Sequence, residues 1–328
     1  MSSSVFVVGS ARSGTTLLYH ILLASGEFAV YDAETWLLEK GQSRYRKLRS
    51  TASRQEFVKD WIDSGQFERS GLSAQDYLAE IENSNMSVAE LLAHFMGMIA
   101  RSQDKPRWAE KTPSHVYHMK EIKAGVPAAK FIHIIRDGRS VAASLRKIGW
   151  SARSADSLAQ LAWAAQSWAH AFAHGRKAAQ GMAGDCLEVK YEDMVTDLSG
   201  TLSRINDFLG TSVTEQDVQN SAFGALGKSN TAFGDQKTGL RQDALTRWRT
   251  ELTPEENCML TALIGPTLRE LGYEIPQEDY SLPLSLRWRI MWWKIVCPIA
   301  FGVRRFLKNE TPLGRYLTKG YEEFPRSA

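Results

Sequence analysis

Val5-Phe6-Val7-Val8-Gly9-Ser10-Ala11-Arg12-Ser13-Gly14-Thr15-Thr16 is the stretch that decides the fold. Its first four residues are apolar without alternation, which suits a central parallel strand buried on both faces. The run stops at Gly9 and enters a turn of Gly, Ser and Arg. A helix is then predicted over 15–24, with Leu18, Ile21 and Leu22 on its apolar face, and a second strand over 28–31. A strand, a glycine loop and a helix in that order point backbone amides inward at a helix N-terminus, where free N–H groups and the positive dipole end favour phosphate. Gly9, Gly14 and Thr16 fit the spacing GxxxxGK[ST], but Thr15 stands where that nucleoside-triphosphate motif has lysine. Arg12 offers a cation on the other side of Gly14 instead. The same residues also read as an ordinary Gly/Ser turn before a core helix, or as the phosphate loop of an ATP-using kinase with Asp137 on magnesium. The absent lysine argues against the kinase.

Outward from this stretch the chain passes through 39–105, which is polar, basic and aromatic by turns and reads as a helical insertion or lid. Helices are predicted at 52–64, 74–82 and 88–101, the last opened by a capping box of Ser87 and Glu90. The α/β rhythm returns with a helix over 111–125, a strand over 130–135, the polar turn Arg136-Asp137-Gly138-Arg139 and a helix over 140–147. A long helix over 158–179, a strand over 186–191 and a helix over 198–209 follow. Two tight strand-to-helix junctions are where such sheets hold ligands, outside the carboxyl ends of their strands. Residues 222–239 read as a long loop, and Thr253, Pro254 and Glu256 open a helix that ends at Gly272.

Composition narrows the function classes. The chain of 328 residues is 43% hydrophobic and 23% charged, with 24 Gly and 10 Pro scattered along it, so extended disorder is not expected. A net charge of +3, with basic residues in short clusters at 44–49 and 304–308, favours a small anionic ligand over nucleic acid. Cys186, Cys258 and Cys297 are too few and too scattered for a disulfide framework or a zinc site. The opening MSSSVFVVGSARSG lacks the basic-then-apolar pattern of an export signal, and a cytoplasmic location is expected.

Four stretches carry a family resemblance: ARSGTT at 11–16, EKTPSH at 110–115, RDGRSVAAS at 136–144 and KYEDMVTD at 190–197. In this order and spacing they resemble the motifs of sulfotransferases that use 3′-phosphoadenosine 5′-phosphosulfate (PAPS), in a bacterial branch similar to the tyrosylprotein sulfotransferases. The resemblance implies a P-loop-type three-layer α/β fold with a central, mainly parallel sheet, a sulfotransferase-like domain over 1–280, and sulfuryl transfer from PAPS to a hydroxyl without a metal. It implies that Arg12, Ser13, Gly14, Thr15 and Thr16 surround the 5′-phosphosulfate, that Arg136 and Ser144 bind the 3′-phosphate, and that Tyr191 lies near the adenine. Lys111 matches the catalytic lysine that draws charge onto the bridging oxygen, and Glu34 matches the general-base glutamate. Arg12 joins them in catalysis.

Each residue has a plainer reading: Lys111 as a solvated lysine before a helix, Glu34 as a helix-start acid, Ser144 as a tolerated helix serine. Trp36 departs from the tyrosylprotein branch, which has an arginine there, and would stack on a sugar or line an apolar acceptor pocket. His115 is the fallback base, with His118 one helical turn away. Asp137 and Arg139 are expected to organise the turn, and Glu192 and Asp193 the strand-to-helix junction. Lys228, Ser229 and Asn230 are candidates for reaching the nucleotide. The acceptor stays open among carbohydrate, lipid, metabolite and peptide, and a non-catalytic nucleotide-binding protein is the non-enzyme alternative.

The tail, 281–328, is basic and aromatic. Its apolar core, 290–303, is shorter than the roughly 20 residues of a bilayer span and contains Lys294 and Pro298. Residues 287–308 are therefore read as a surface that packs on the domain, on a second subunit of a homo-oligomer, or on the inner face of a membrane.

Overall fold

Among the described residues, five parallel strands form the central sheet: β1 (Ser3–Gly9), β2 (Phe28–Ala29), β3 (Arg107–Lys111), β4 (Lys130–Ile135) and β5 (Cys186–Lys190), in the order β2-β3-β1-β4-β5. The computed structural model describes residues 3–43, 48, 50–82, 84–150, 154–221, 240, 242–275 and 281–311. β1 pairs with β3 on one side and β4 on the other. Its apolar run is continuous because both faces are covered. Val5 and Val7 pack with Leu18, Ile21 and Leu22 of the helix Thr15–Leu23, while Phe6 and Val8 face Phe95, Trp108 and Phe131 on the opposite side.

Helices cover both faces and give three layers. On the Phe6 side lie Thr51–Ile62, Ala74–Ile81 and Val88–Ser102, whose Phe57, Trp61, Tyr77 and Phe95 enter the same core as Trp108 and Phe131. The last helix starts with the predicted Ser87–Glu90 capping box. A further core joins Gly138–Lys147, Ser157–Ala179, Pro254–Glu270 and Leu284–Glu310 around Trp168, Met259, Leu260 and Trp293.

The expected helix over 111–125 is corrected. Lys111 is the last residue of β3, an inner strand, and after Thr112 the chain makes a short 3₁₀ turn, Pro113–Tyr117, before the helix Met119–Gly125. The strand was hidden because Arg107-Trp108-Ala109-Glu110-Lys111 carries charge where a buried strand should be apolar. Its last two charged side chains are buried among polar partners. The second strand is also shorter than 28–31, and β5 ends at Lys190, so that Tyr191 opens the helix Tyr191–Thr196.

Candidate active site

Four strand ends converge at one edge of the sheet. β1 runs into the loop Ser10–Gly14, β3 ends at Lys111, β4 at Ile135 just before Arg136, and β5 just before Tyr191. This is the carboxyl edge at which α/β sheets bind ligands.

The loop needs its glycines for close approach. A Cβ on Gly9 would stand 2.5 Å from the Ile134 carbonyl oxygen of the paired strand, and one on Gly14, at φ 98°, would stand 2.4 Å from Cδ2 of the Tyr191 ring. Gly14 caps the helix Thr15–Leu23 without a side-chain hydrogen bond, leaving first-turn amides directed toward the loop. Arg12 sits at φ 69°, a left-handed conformation costing a non-glycine residue on the order of 1 kcal/mol. That turn aims its guanidinium across the site, where Nε donates to Ser144 Oγ at 3.1 Å. Burial, reinforced by Arg136, pushes the Arg12 pKa down, and Glu34 opposes this.

Arg136 closes the other side. It donates to the carbonyls of Arg12 at 3.2 Å and Ala244 at 2.8 Å, and its guanidinium lies 4.2 Å from the centre of the Tyr191 ring. Among the described residues, the buried atoms Ser13 Oγ and Arg136 Nε have no hydrogen-bond partner. Buried donors without partners cost free energy, and phosphate oxygens would satisfy both. The residues present therefore fit a phosphorylated nucleotide. Arg12, Ser13, Gly14, Thr15, Arg136, Ser144 and Tyr191 form one connected surface, with Thr16 one residue further into the helix.

Lys111 Nζ donates to Glu34 Oε1 at 2.8 Å, with the two side chains 6% and 14% exposed. The other carboxylate oxygen, Oε2, accepts the Trp36 indole N–H at 3.1 Å. Trp36 adopts φ 49°, so this contact is held by a strained backbone. The departure at this position thus supplies a donor to Glu34, a role not read from the sequence.

Beneath the pair lies a buried polar cluster. Glu110 and Thr112 share a face by strand alternation, and Glu110 accepts from Thr35 Oγ1 at 3.0 Å, from Thr112 Oγ1, and from His115 Nδ1 at 2.8 Å. Thr112 Oγ1 in turn accepts the Thr35 amide at 3.1 Å, which pins the backbone next to Glu34. His115 Nε2 stands 3.4 Å from Glu39. Burial opposes the imidazolium, but Glu110 and Glu39 overcome it and push the His115 pKa up to about 10, and both carboxylates are held below their usual range. Fully buried between Glu110 and Glu39, His115 presents no ring atom to an acceptor, a placement that does not favour its fallback role as base. His118 faces Glu121 at 3.0 Å.

Asp137 is held bidentately by Arg139, at 3.0 Å from Nε and 2.7 Å from Nη2, and also caps its helix through the Arg139 amide. Both its oxygens are engaged, which removes the feature that pointed to a magnesium-binding kinase acid. Glu192 joins the junctions: it accepts the Asp137 amide at 3.0 Å and the Tyr273 hydroxyl at 2.9 Å. Lys228, Ser229 and Asn230 lie outside the described residues.

Fold and site together define an α/β nucleotide-binding transferase. The sulfotransferase family model matches residues 4–215, and the chain belongs to that family: it is a PAPS-dependent sulfotransferase, acting on a hydroxyl-bearing acceptor. The chain is 24% identical over 282 residues to protein-tyrosine sulfotransferase A of Caenorhabditis elegans, an alignment covering 83% of this chain and 68% of that protein. It is 24% identical over 290 residues to the protein-tyrosine sulfotransferase of Drosophila melanogaster, covering 85% of this chain and 54% of that protein. The sulfotransferase domain from the curacin biosynthetic pathway shares the fold, with a TM-score of 0.55, 18% identity, and coverage of 84% of this chain and 99% of that chain.

Proposed function

We propose that Glu34 is the general base and Lys111 the leaving-group cation for sulfuryl transfer to an acceptor hydroxyl. The observation that carries this reading is the Lys111–Glu34 contact of 2.8 Å at the end of β3, within electrostatic reach of Arg12. When bound, PAPS supplies the electrophilic sulfur and a phosphate leaving group. As the acceptor oxygen bonded to the sulfur, Glu34 would take its proton, and Lys111 would face the phosphate oxygen that keeps the electron pair of the broken S–O bond. An ammonium has three N–H donors, so Lys111 can hold Glu34 with one and meet that oxygen with another. Charge that grows on the leaving oxygen is stabilised more in the transition state than in the ground state by Lys111, Arg12 and the loop amides. Ser13, Gly14, Thr15 and Thr16 would hold the 5′ side, Arg136 and Ser144 the 3′-phosphate, and Tyr191 the adenine.

Trp36 leaves the acceptor class open. It occupies the place of an arginine in the tyrosylprotein branch, and its N–H is committed to Glu34. Carbohydrate, lipid, metabolite and peptide hydroxyls all remain candidates on this reading.

The test is calorimetric titration with adenosine 3′,5′-bisphosphate, and separately with ATP and magnesium, on wild type, Glu34→Gln and Arg136→Ala. Bisphosphate binding that is metal-independent, retained in Glu34→Gln and weakened in Arg136→Ala supports the roles. Preference for ATP, or full transfer activity in Glu34→Gln across an acceptor panel, would overturn them.

A further inference from the structure

The helix Leu284–Glu310 has two apolar faces. One, carrying Leu286, Ile290, Trp293 and Cys297, is buried against the core formed with Ser157–Ala179 and Pro254–Glu270. The other carries Leu284, Trp288, Met291, Trp292, Ile295, Ile299, Val303 and Phe306, and all eight are exposed, Trp288 by 63% and Trp292 by 59%. At 3.6 residues per turn these eight fall within an arc of about 120°, opposite the buried stripe. Side chains of this size, about half exposed, present on the order of 900 Å² of largely apolar surface, above the roughly 300–600 Å² of the largest patch on an ordinary monomer.

Charge decides the occupant. The helix holds Arg287, Arg289, Lys294, Arg304, Arg305 and Lys308 against one acidic residue, Glu310, at its last position. Helical geometry puts Arg287, Lys294 and Arg305 along one flank of the exposed arc and Arg289, which pairs with Asp156, along the other. Arg287, Lys294 and Arg304 are exposed. A second copy docked by the same face would bring like charges together along the rim. No helix among the described residues is long and apolar enough to cross a membrane. An apolar arc with paired tryptophans and an exposed cationic flank at Arg287 and Lys294 matches a helix lying in the plane of an anionic bilayer surface.

We propose that the outer face of Leu284–Glu310 docks the enzyme on a membrane rich in anionic lipid. The helix that carries this face is next to elements of the catalytic side. The helix touches Leu37–Ser43, which follows Glu34 and Trp36, and Arg305 donates to the Tyr117 carbonyl at 3.1 Å, in the turn that follows Lys111. Docking there brings the acceptor side of the site to the lipid surface. The proposal does not depend on the catalytic roles assigned above.

Co-sedimentation of the full chain with phosphatidylcholine vesicles, with and without phosphatidylglycerol, tests it. Binding is expected to the anionic vesicles, at least about tenfold tighter than to neutral ones, and to weaken with salt, since each cation near the surface contributes about 1 kcal/mol, roughly fivefold. Trp288→Ser with Trp292→Ser should lower it about tenfold or more, as should Arg287→Glu with Lys294→Glu. Both pairs point outward, so adenosine 3′,5′-bisphosphate binding is expected to stay unchanged and reports an intact fold. Absence of binding to anionic vesicles, equal binding to neutral ones, or a dimer in sedimentation analysis that the tryptophan pair dissociates would each overturn the proposal.

Discussion

Glu110→Gln perturbs a fully buried charge in the site while changing almost no volume. In the wild type the carboxylate is fully buried and receives two hydroxyls and the His115 imidazolium. The His115 pKa rises from 6.5 to about 10, a preference for the charged form of roughly 5 kcal/mol at about 1.36 kcal/mol per unit, shared between Glu110 and Glu39. Half of that, about 2.5 kcal/mol, and the usual cost of about 3–5 kcal/mol for leaving one partner of a buried pair bracket the loss at about 2–5 kcal/mol. This is a large part of the roughly 5–15 kcal/mol that holds a domain together. Urea unfolding monitored by circular dichroism across pH is the assay. A group whose folded pKa is raised stabilises fully below its unfolded value of 6.5 and loses that contribution as pH rises toward about 10. The wild type should therefore lose stability over that window, and the variant should be less stable at pH 6 with a shallower alkaline decline. Bisphosphate binding should persist where the variant is folded, while transfer falls because Thr35, beside Glu34, loses its anchor. Stability within about 0.5 kcal/mol of wild type at pH 6 would refute a charged cluster.

Gly14→Ala places a Cβ 2.4 Å from the Tyr191 ring at φ 98°, and should cost about 1–3 kcal/mol and weaken bisphosphate binding about tenfold, read by thermal melting and calorimetry. Trp36→Phe removes the indole donor to Glu34 and should lower kcat/KM about 5- to 10-fold with bisphosphate affinity unchanged, measured by steady-state transfer. Arg136→Lys keeps the charge but not the fork that joins two carbonyls and the Tyr191 ring, and should weaken bisphosphate binding by about tenfold or more in the same titration.

The strand, glycine loop and helix at 5–24 were legible because each uses a local rule: uninterrupted apolarity, a positive-φ glycine and a 3.6-residue stripe. The junction at Arg136 was legible for the same reason, an apolar run stopping abruptly at polar residues, whereas at Tyr191 the strand reading ran one residue too far. β3 was not, since Glu110 and Lys111 are strand residues whose burial is satisfied by Thr35, His115 and Glu34, which lie up to 77 positions away. His115 looked like a base for want of its surroundings, since an imidazole between two carboxylates cannot be told from a free one by spacing.

The sequence by itself determined a parallel α/β sheet with a glycine loop between its first strand and first helix, because these follow from periodicity and from chain neighbours. Only the tertiary structure decided which charges meet: Glu34 held between Lys111 and Trp36, Arg12 bonded to Ser144, Asp137 spent on Arg139. The physical reason is that local pattern sets which face of an element is apolar, whereas the state of a buried charge depends on partners brought together only when the layers close.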